Sequence, residues 1–121
     1  VKRRRSFPYQ ILSDNMSYRF MRILVFFDLP SDTSEEKKNY RDFRKLLIRN
    51  GFVMMQESVY CRMALNSSVE KAVCDVIRKN RPPRGVVQLL AVTEKQFSKM
   101  EFISGESQSD LLDSDERVVI F

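Results

Sequence analysis

Six bases lie between positions 37 and 49: Lys37, Lys38, Arg41, Arg44, Lys45 and Arg49. Lys38, Arg41, Lys45 and Arg49 follow one another at steps of three or four, which on a helix stacks them into a ridge. Such a ridge suits the phosphate backbone of a nucleic acid, because each phosphate neutralised releases a counterion. The plain alternative is a solvated helix face, interrupted only by Asp42. A second set, Arg78, Lys79, Arg81 and Arg84, flanks Pro82 and Pro83. It reads either as a further phosphate-binding patch or as the ordinary cations of a helix C-terminus.

Missing residues narrow the chemistry further. There is no histidine, which removes Ser-His-Asp and Cys-His catalysis and any zinc site built on imidazole. Two cysteines, Cys61 and Cys74, cannot make a four-thiolate zinc site, and they lack the close spacing of a redox pair. Two buried free thiols in a reducing cytosol is the favoured reading, with a disulfide as the open alternative. Three glycines, Gly51, Gly85 and Gly105, give no phosphate-cradling loop. Catalysis is left to carboxylates with a metal ion, and the other outcome is pure binding. Net charge is +5, from 21 Lys+Arg against 16 Asp+Glu, yet from Glu101 onward six acids face only Arg117. A basic body with an acidic end favours a polyanion, nucleic acid foremost.

These residues need a scaffold, and 121 residues suffice for one domain. Ile23, Leu24, Val25, Phe26 and Phe27 form a continuous apolar run that fits a strand buried on both faces, with Asp28 at its end and Pro30 blocking further pairing. Thr33 and Glu36 have capping-box spacing for a helix to about Asn50, stopped by Gly51. Tyr40, Phe43, Leu46 and Leu47 share its apolar face, and only Ile48 falls among the bases. Residues 52–63 read as two short strands or one bent one, interrupted at Gln56, Glu57 and Ser58. Ser67 and Glu70 suggest a second capping box for a helix to about Asn80. Residues 86–92 form another strand, and Thr93 with Gln96 caps a short helix predicted to end near Gly105. An acidic stretch and a last strand follow. No apolar run approaches membrane-spanning length, and no apolar stretch after Lys2, Arg3, Arg4 and Arg5 could serve as a signal-peptide core.

The order β-α-β-β-α-β predicts a ferredoxin-like α+β sandwich with an extra C-terminal helix and strand. Both helices then cover one face of the sheet. Strands apolar on both faces need a second cover, which sheet-to-sheet packing of a two-fold homodimer would supply. Residues 16–103 form the expected core and residues 104–121 an acidic loop and strand. Residues 1–15 are either a native basic arm touching phosphates or an extension upstream of the real start.

Several blocks, in order, resemble the CRISPR-associated protein Cas2 family: MRILVFFD (residues 21–28), LPSDTSEEKKNYRDFRKLL, Gly51-Phe52, Ser58-Val59-Tyr60, LLAVTEKQF (residues 89–97) and Ser114-Asp115-Glu116-Arg117. The likeness is in particular to forms found beside the RNA-guided nuclease of type II systems, and it runs from about Met16 to Phe121. It implies a ferredoxin-like homodimer that joins two dimers of the Cas1 integrase, holds double-stranded protospacer DNA by its backbone and serves its insertion into a CRISPR array. The integrase carries the strand transfer.

Some family members are magnesium-dependent nucleases on RNA or double-stranded DNA, with the aspartate that ends the first strand as key residue. Here that position is Asp28. A carboxylate there could hold Mg²⁺ and a metal-bound water, and two copies could face each other in a dimer. The alternative is a carboxylate that caps backbone N–H groups in the turn from Leu29 to Thr33. The resemblance also implies that Val118, Val119, Ile120 and Phe121 dock the integrase. The simpler alternative is a strand serving only this protein's own dimer.

Overall fold

The computed structural model describes residues 20–105. Its elements are β1 (Met21–Asp28), α1 (Ser34–Arg49), β2 (Val53–Gln56), β3 (Val59–Ala64), α2 (Ser67–Lys79), β4 (Val86–Thr93) and α3 (Glu94–Phe97). The four strands make one antiparallel sheet in the order β2-β3-β1-β4, the arrangement of a ferredoxin-like α+β fold. The N-terminal arm, the acidic stretch and the terminal strand with Val118, Val119, Ile120 and Phe121 lie outside the described residues.

The apolar run of β1 divides by alternation. Ile23, Val25 and Phe27 enter a core with Phe43 and Leu47 of α1, Tyr60 of β3, and Val73 and Ile77 of α2. Phe27 anchors an aromatic group there, with ring centroids 5.3 Å from Phe43 and 5.7 Å from Tyr60. Arg22, Leu24, Phe26 and Asp28 face the opposite side. The register pairs Leu24 with Cys61 and with Leu90, so those residues share that second face.

Helix α1 opens with the predicted reciprocal box: Glu36 N–H donates to Thr33 Oγ1 at 3.1 Å, and Thr33 N–H donates to a Glu36 carboxylate oxygen at 3.1 Å. It ends at Asn50, and Gly51 turns the chain away with φ +88°. Arg62 of β3 adds a guanidinium bond to the Asn50 carbonyl at 2.8 Å, a cation placed at the negative end of the helix.

Two expectations are corrected. Helix α2 is capped by Asn66, which accepts from Val69 N–H at 2.9 Å, and Ser67 is already the first helical residue. The Asn66 backbone is extended and its carboxamide reaches the first turn, as a cap must. Helix α3 keeps its Thr93–Gln96 box but stops at Phe97, well short of Gly105. Between Phe97 and Gly105 no apolar stripe packs on the sheet: Met100, Phe102 and Ile103 are all exposed. The stretch 52–63 resolves into two strands, joined by a turn in which Ser58 takes φ +75°.

Both long helices cover one side of the sheet, as expected. The second side is covered in part by the chain itself. Helix α3 folds across Arg22, which is 3% exposed. Arg22 Nε donates to a Glu94 carboxylate oxygen at 3.0 Å, its terminal nitrogen pairs with the other oxygen, and the guanidinium sits 4.4 Å from the Phe97 ring centroid. Away from α3, Val53, Val86 and Leu90 remain about half exposed at 49%, 53% and 48%.

Candidate nucleic-acid interface and the Asp28 corner

The bases of α1 separate once their neighbours are known. Lys37, Arg41, Lys45 and Arg49 are exposed and, among the described residues, make no ion pair. They recur every four residues, so they form a gently winding ridge about 18 Å long. Lys38 sits beside it, paired with Asp42 at 2.8 Å. Both side chains are exposed to water, which screens the pair, so a phosphate can compete for Lys38. The Asp42 carboxyl is held below the usual carboxylate range by its hydrogen bond from Lys38 and by the charges of Lys38, Lys45 and Arg41.

Arg44 belongs elsewhere. Its Nε donates to the Tyr60 hydroxyl at 2.7 Å, and Tyr60 is 1% exposed. A buried hydroxyl needs its partner, so this guanidinium is a strut between α1 and the sheet. The second set of bases is also partly engaged. Arg78 pairs with Asp75 at 2.7 Å and Arg84 reaches Glu36 at 3.4 Å, whereas Arg81 is exposed and, among the described residues, without an ion pair.

Asp28 closes β1 opposite Val86 of β4 and is exposed. Among the described residues its carboxylate accepts no hydrogen bond. The natural donors for a cap, the N–H groups of Asp32 and Thr33, both go to Glu36 Oε1 at 3.0 and 3.1 Å. Those backbone bonds are the main reason the Glu36 carboxyl lies below the usual range, with Arg84 adding to it. The turn therefore caps itself through Glu36 and leaves the carboxylate of Asp28 facing water.

Among the described residues Asp28 belongs to no cluster of metal-ligating side chains: no three His, Cys, Asp or Glu side chains gather. Magnesium needs one or two carboxylates together with other oxygens, usually several waters. A lone exposed carboxylate does not define such a centre, so the described residues of one chain do not by themselves fit the ion.

Cys61 and Cys74 are both buried and free. Burial is the main cause that pushes both thiols up. Cys61 lies on the α3 side of the sheet and Cys74 in the helix-side core, so the sheet separates them and excludes the disulfide alternative.

The cluster that sequence reasoning missed is Arg22, Glu94 and Phe97. Its only signal is a single charge inside MRILVFF, an otherwise apolar run that had to be buried. No described helix is long and apolar enough to cross a membrane.

Comparison with known proteins adds to this geometry. Residues 21–100 match the family model described as CRISPR associated protein Cas2. A protein of Treponema denticola named CRISPR-associated endoribonuclease Cas2 is 51% identical over 100 residues, covering 83% of this chain and 99% of that protein. A protein of Streptococcus mutans with the same name is 46% identical over 99 residues, covering 82% and 91%. A solved structure described as "Crystal structure of cas2" superposes with a TM-score of 0.54 at 15% identity, over 84% of this chain and 99% of that one; it supports the fold alone.

Proposed function

The chain belongs to the CRISPR associated protein Cas2 family, and from that premise we propose that it acts in CRISPR spacer acquisition as a homodimeric, DNA-binding adaptor between two dimers of the Cas1 integrase. The observation that carries this reading is the ridge of Lys37, Arg41, Lys45 and Arg49, exposed and without ion pairs among the described residues. Point charges at helical spacing grip phosphates whatever the sequence, which suits capture of invader DNA that has no fixed sequence. The dimer draws support from Val53, Val86 and Leu90, large apolar side chains left half exposed on the part of the second face that α3 leaves open. A rigid dimer of defined width would then set how much double-stranded protospacer DNA spans the two integrase sites. The test is spacer integration in vitro with the cognate integrase, comparing wild type, Arg41→Glu/Lys45→Glu and no added protein. Integration should fall in the double variant and vanish without the protein. Equal integration in all three would overturn the adaptor reading.

A second reading follows the name the relatives carry: endoribonuclease activity, or cleavage of double-stranded DNA, centred on Asp28. It is favoured by a carboxylate at a strand end that is exposed and accepts no hydrogen bond among the described residues. Mg²⁺ in this reading requires Asp28 from two copies across the dimer axis. Purified protein should cleave only with Mg²⁺ and lose cleavage on Asp28→Ala while still dimerising. Activity that survives the substitution belongs to a contaminant.

A further inference from the structure

The loop between α2 and β4 closes on the end of β1 through Gly85. Its φ is +94°, and a β-carbon there would stand 2.6 Å from the Asp28 carbonyl oxygen, 2.8 Å from Leu29 Cδ2 and 3.0 Å from Leu29 Cα. Two of those atoms are main chain and cannot swing aside. The next residue, Val86, is the ladder partner of Asp28, so whatever lifts residue 85 also disturbs the pairing that ends β1. On the other flank, Phe27 N–H donates to the Ser58 carbonyl at 3.1 Å. Ser58 holds φ +75°, a conformation uncommon for any residue but glycine. Asp28 thus sits between two left-handed turns. Its carboxylate accepts nothing among the described residues, so the backbone sets where its Cα–Cβ stem leaves the strand and thereby the space the carboxylate can sweep.

We propose that Gly85 is the positioning residue for Asp28: by lacking a side chain it lets the loop seat on the Asp28 carbonyl, and this seating aims the carboxylate at the end of β1. The proposal rests on the reading of Asp28 as the acting carboxylate, and the two can fail separately. In the full chain, Gly85→Ala and Gly85→Asn are compared with wild type and Asp28→Asn by backbone amide NMR and by cleavage or integration. Asn enters the left-handed region more readily than Ala, yet both bring the obstructing β-carbon.

Both variants should move the amide resonances of Phe27, Asp28 and Leu29 while those of Tyr60 and Cys74 stay in place. The Asp28-dependent turnover should drop about 10- to 100-fold with KM little changed. Unmoved Asp28 and Leu29 resonances in Gly85→Ala would overturn the proposal. So would wild-type behaviour of Gly85→Asn, which would show that φ alone matters. Failure of both variants to fold also counts against it, because a merely structural glycine predicts that result. If Asp28→Asn works as well as wild type, the reading of Asp28 falls, and the resonances alone decide whether Gly85 holds that strand end.

Discussion

Arg44 reaches from α1 to the buried hydroxyl of Tyr60 on β3, with its Nε 2.7 Å from the oxygen. One turn of the same helix therefore carries two kinds of cation. Arg41 points at solvent, and Arg44 braces the fold.

Substitution should separate them. Arg44→Met leaves a buried hydroxyl without its partner and should cost about 1–2 kcal/mol, read as a lower urea midpoint, with a small effect on DNA affinity. Arg41→Ala should leave stability within about 0.5 kcal/mol and flatten the dependence of log K on log salt by about 0.9 for each phosphate no longer neutralised. Anisotropy titrations of duplex DNA at several salt concentrations supply the slope. Identical slopes for Arg41→Ala and wild type would remove α1 from the interface.

Glu94→Ala should be among the more damaging exposed-side changes in the chain. It removes the carboxylate that pairs with Arg22, whose side chain is 4% exposed, while the Glu94 side chain is 27% exposed. The loss should be roughly 3 kcal/mol, the lower end for breaking a buried pair. Arg22→Met/Glu94→Leu should recover most of it, since no charge is then left buried. A melting temperature unchanged by Glu94→Ala would mean that α3 is held without this ion pair.

Acid should weaken the start of α1. The Glu36 carboxyl lies below its ordinary value because it accepts from Thr33 and Asp32 N–H. A depressed carboxyl adds stability above its unfolded value and loses it as pH falls through the folded one. The gap in stability between wild type and Glu36→Gln should therefore be full near neutral pH and close below about pH 4. Denaturation midpoints taken between about pH 3 and 6 would show it. A gap that persists in acid would assign the effect to shape rather than charge. Asp42 and Asp75 are depressed in the same sense by their lysine and arginine neighbours.

Neither thiol should react in the native protein. Burial pushes both Cys61 and Cys74 up, and the thiolate is the reactive form. With a disulfide reagent at about pH 8, where an ordinary thiol is partly ionised, labelling should wait for guanidinium. Fast labelling of Cys61 in buffer would show that α3 lifts from the sheet.

Much of the scaffold is local, and so it was legible. The box of Thr33 and Glu36, the stop at Gly51, the apolar face of Phe43 and Leu47, and the end of β1 at Asp28 each depend on residues within about one helical turn or one strand. The order of those elements leads to the ferredoxin-like sheet, and the blocks from MRILVFFD onward lead to the family. What remained hidden joins distant positions: Arg44 to Tyr60 across 16 residues and Arg22 to Glu94 across 72. The seat of Gly85 on Asp28 is of the same kind. Periodicity tells which way a side chain faces but not who stands opposite, because that depends on strand register and on how α1 and α3 lie against the sheet. Sequence alone therefore supplied the basic helix and the carboxylate at the strand end. Only the tertiary structure decided which bases stay free of ion pairs among the described residues, how Gly85 seats on the end of β1, and how a charge inside β1 is made tolerable.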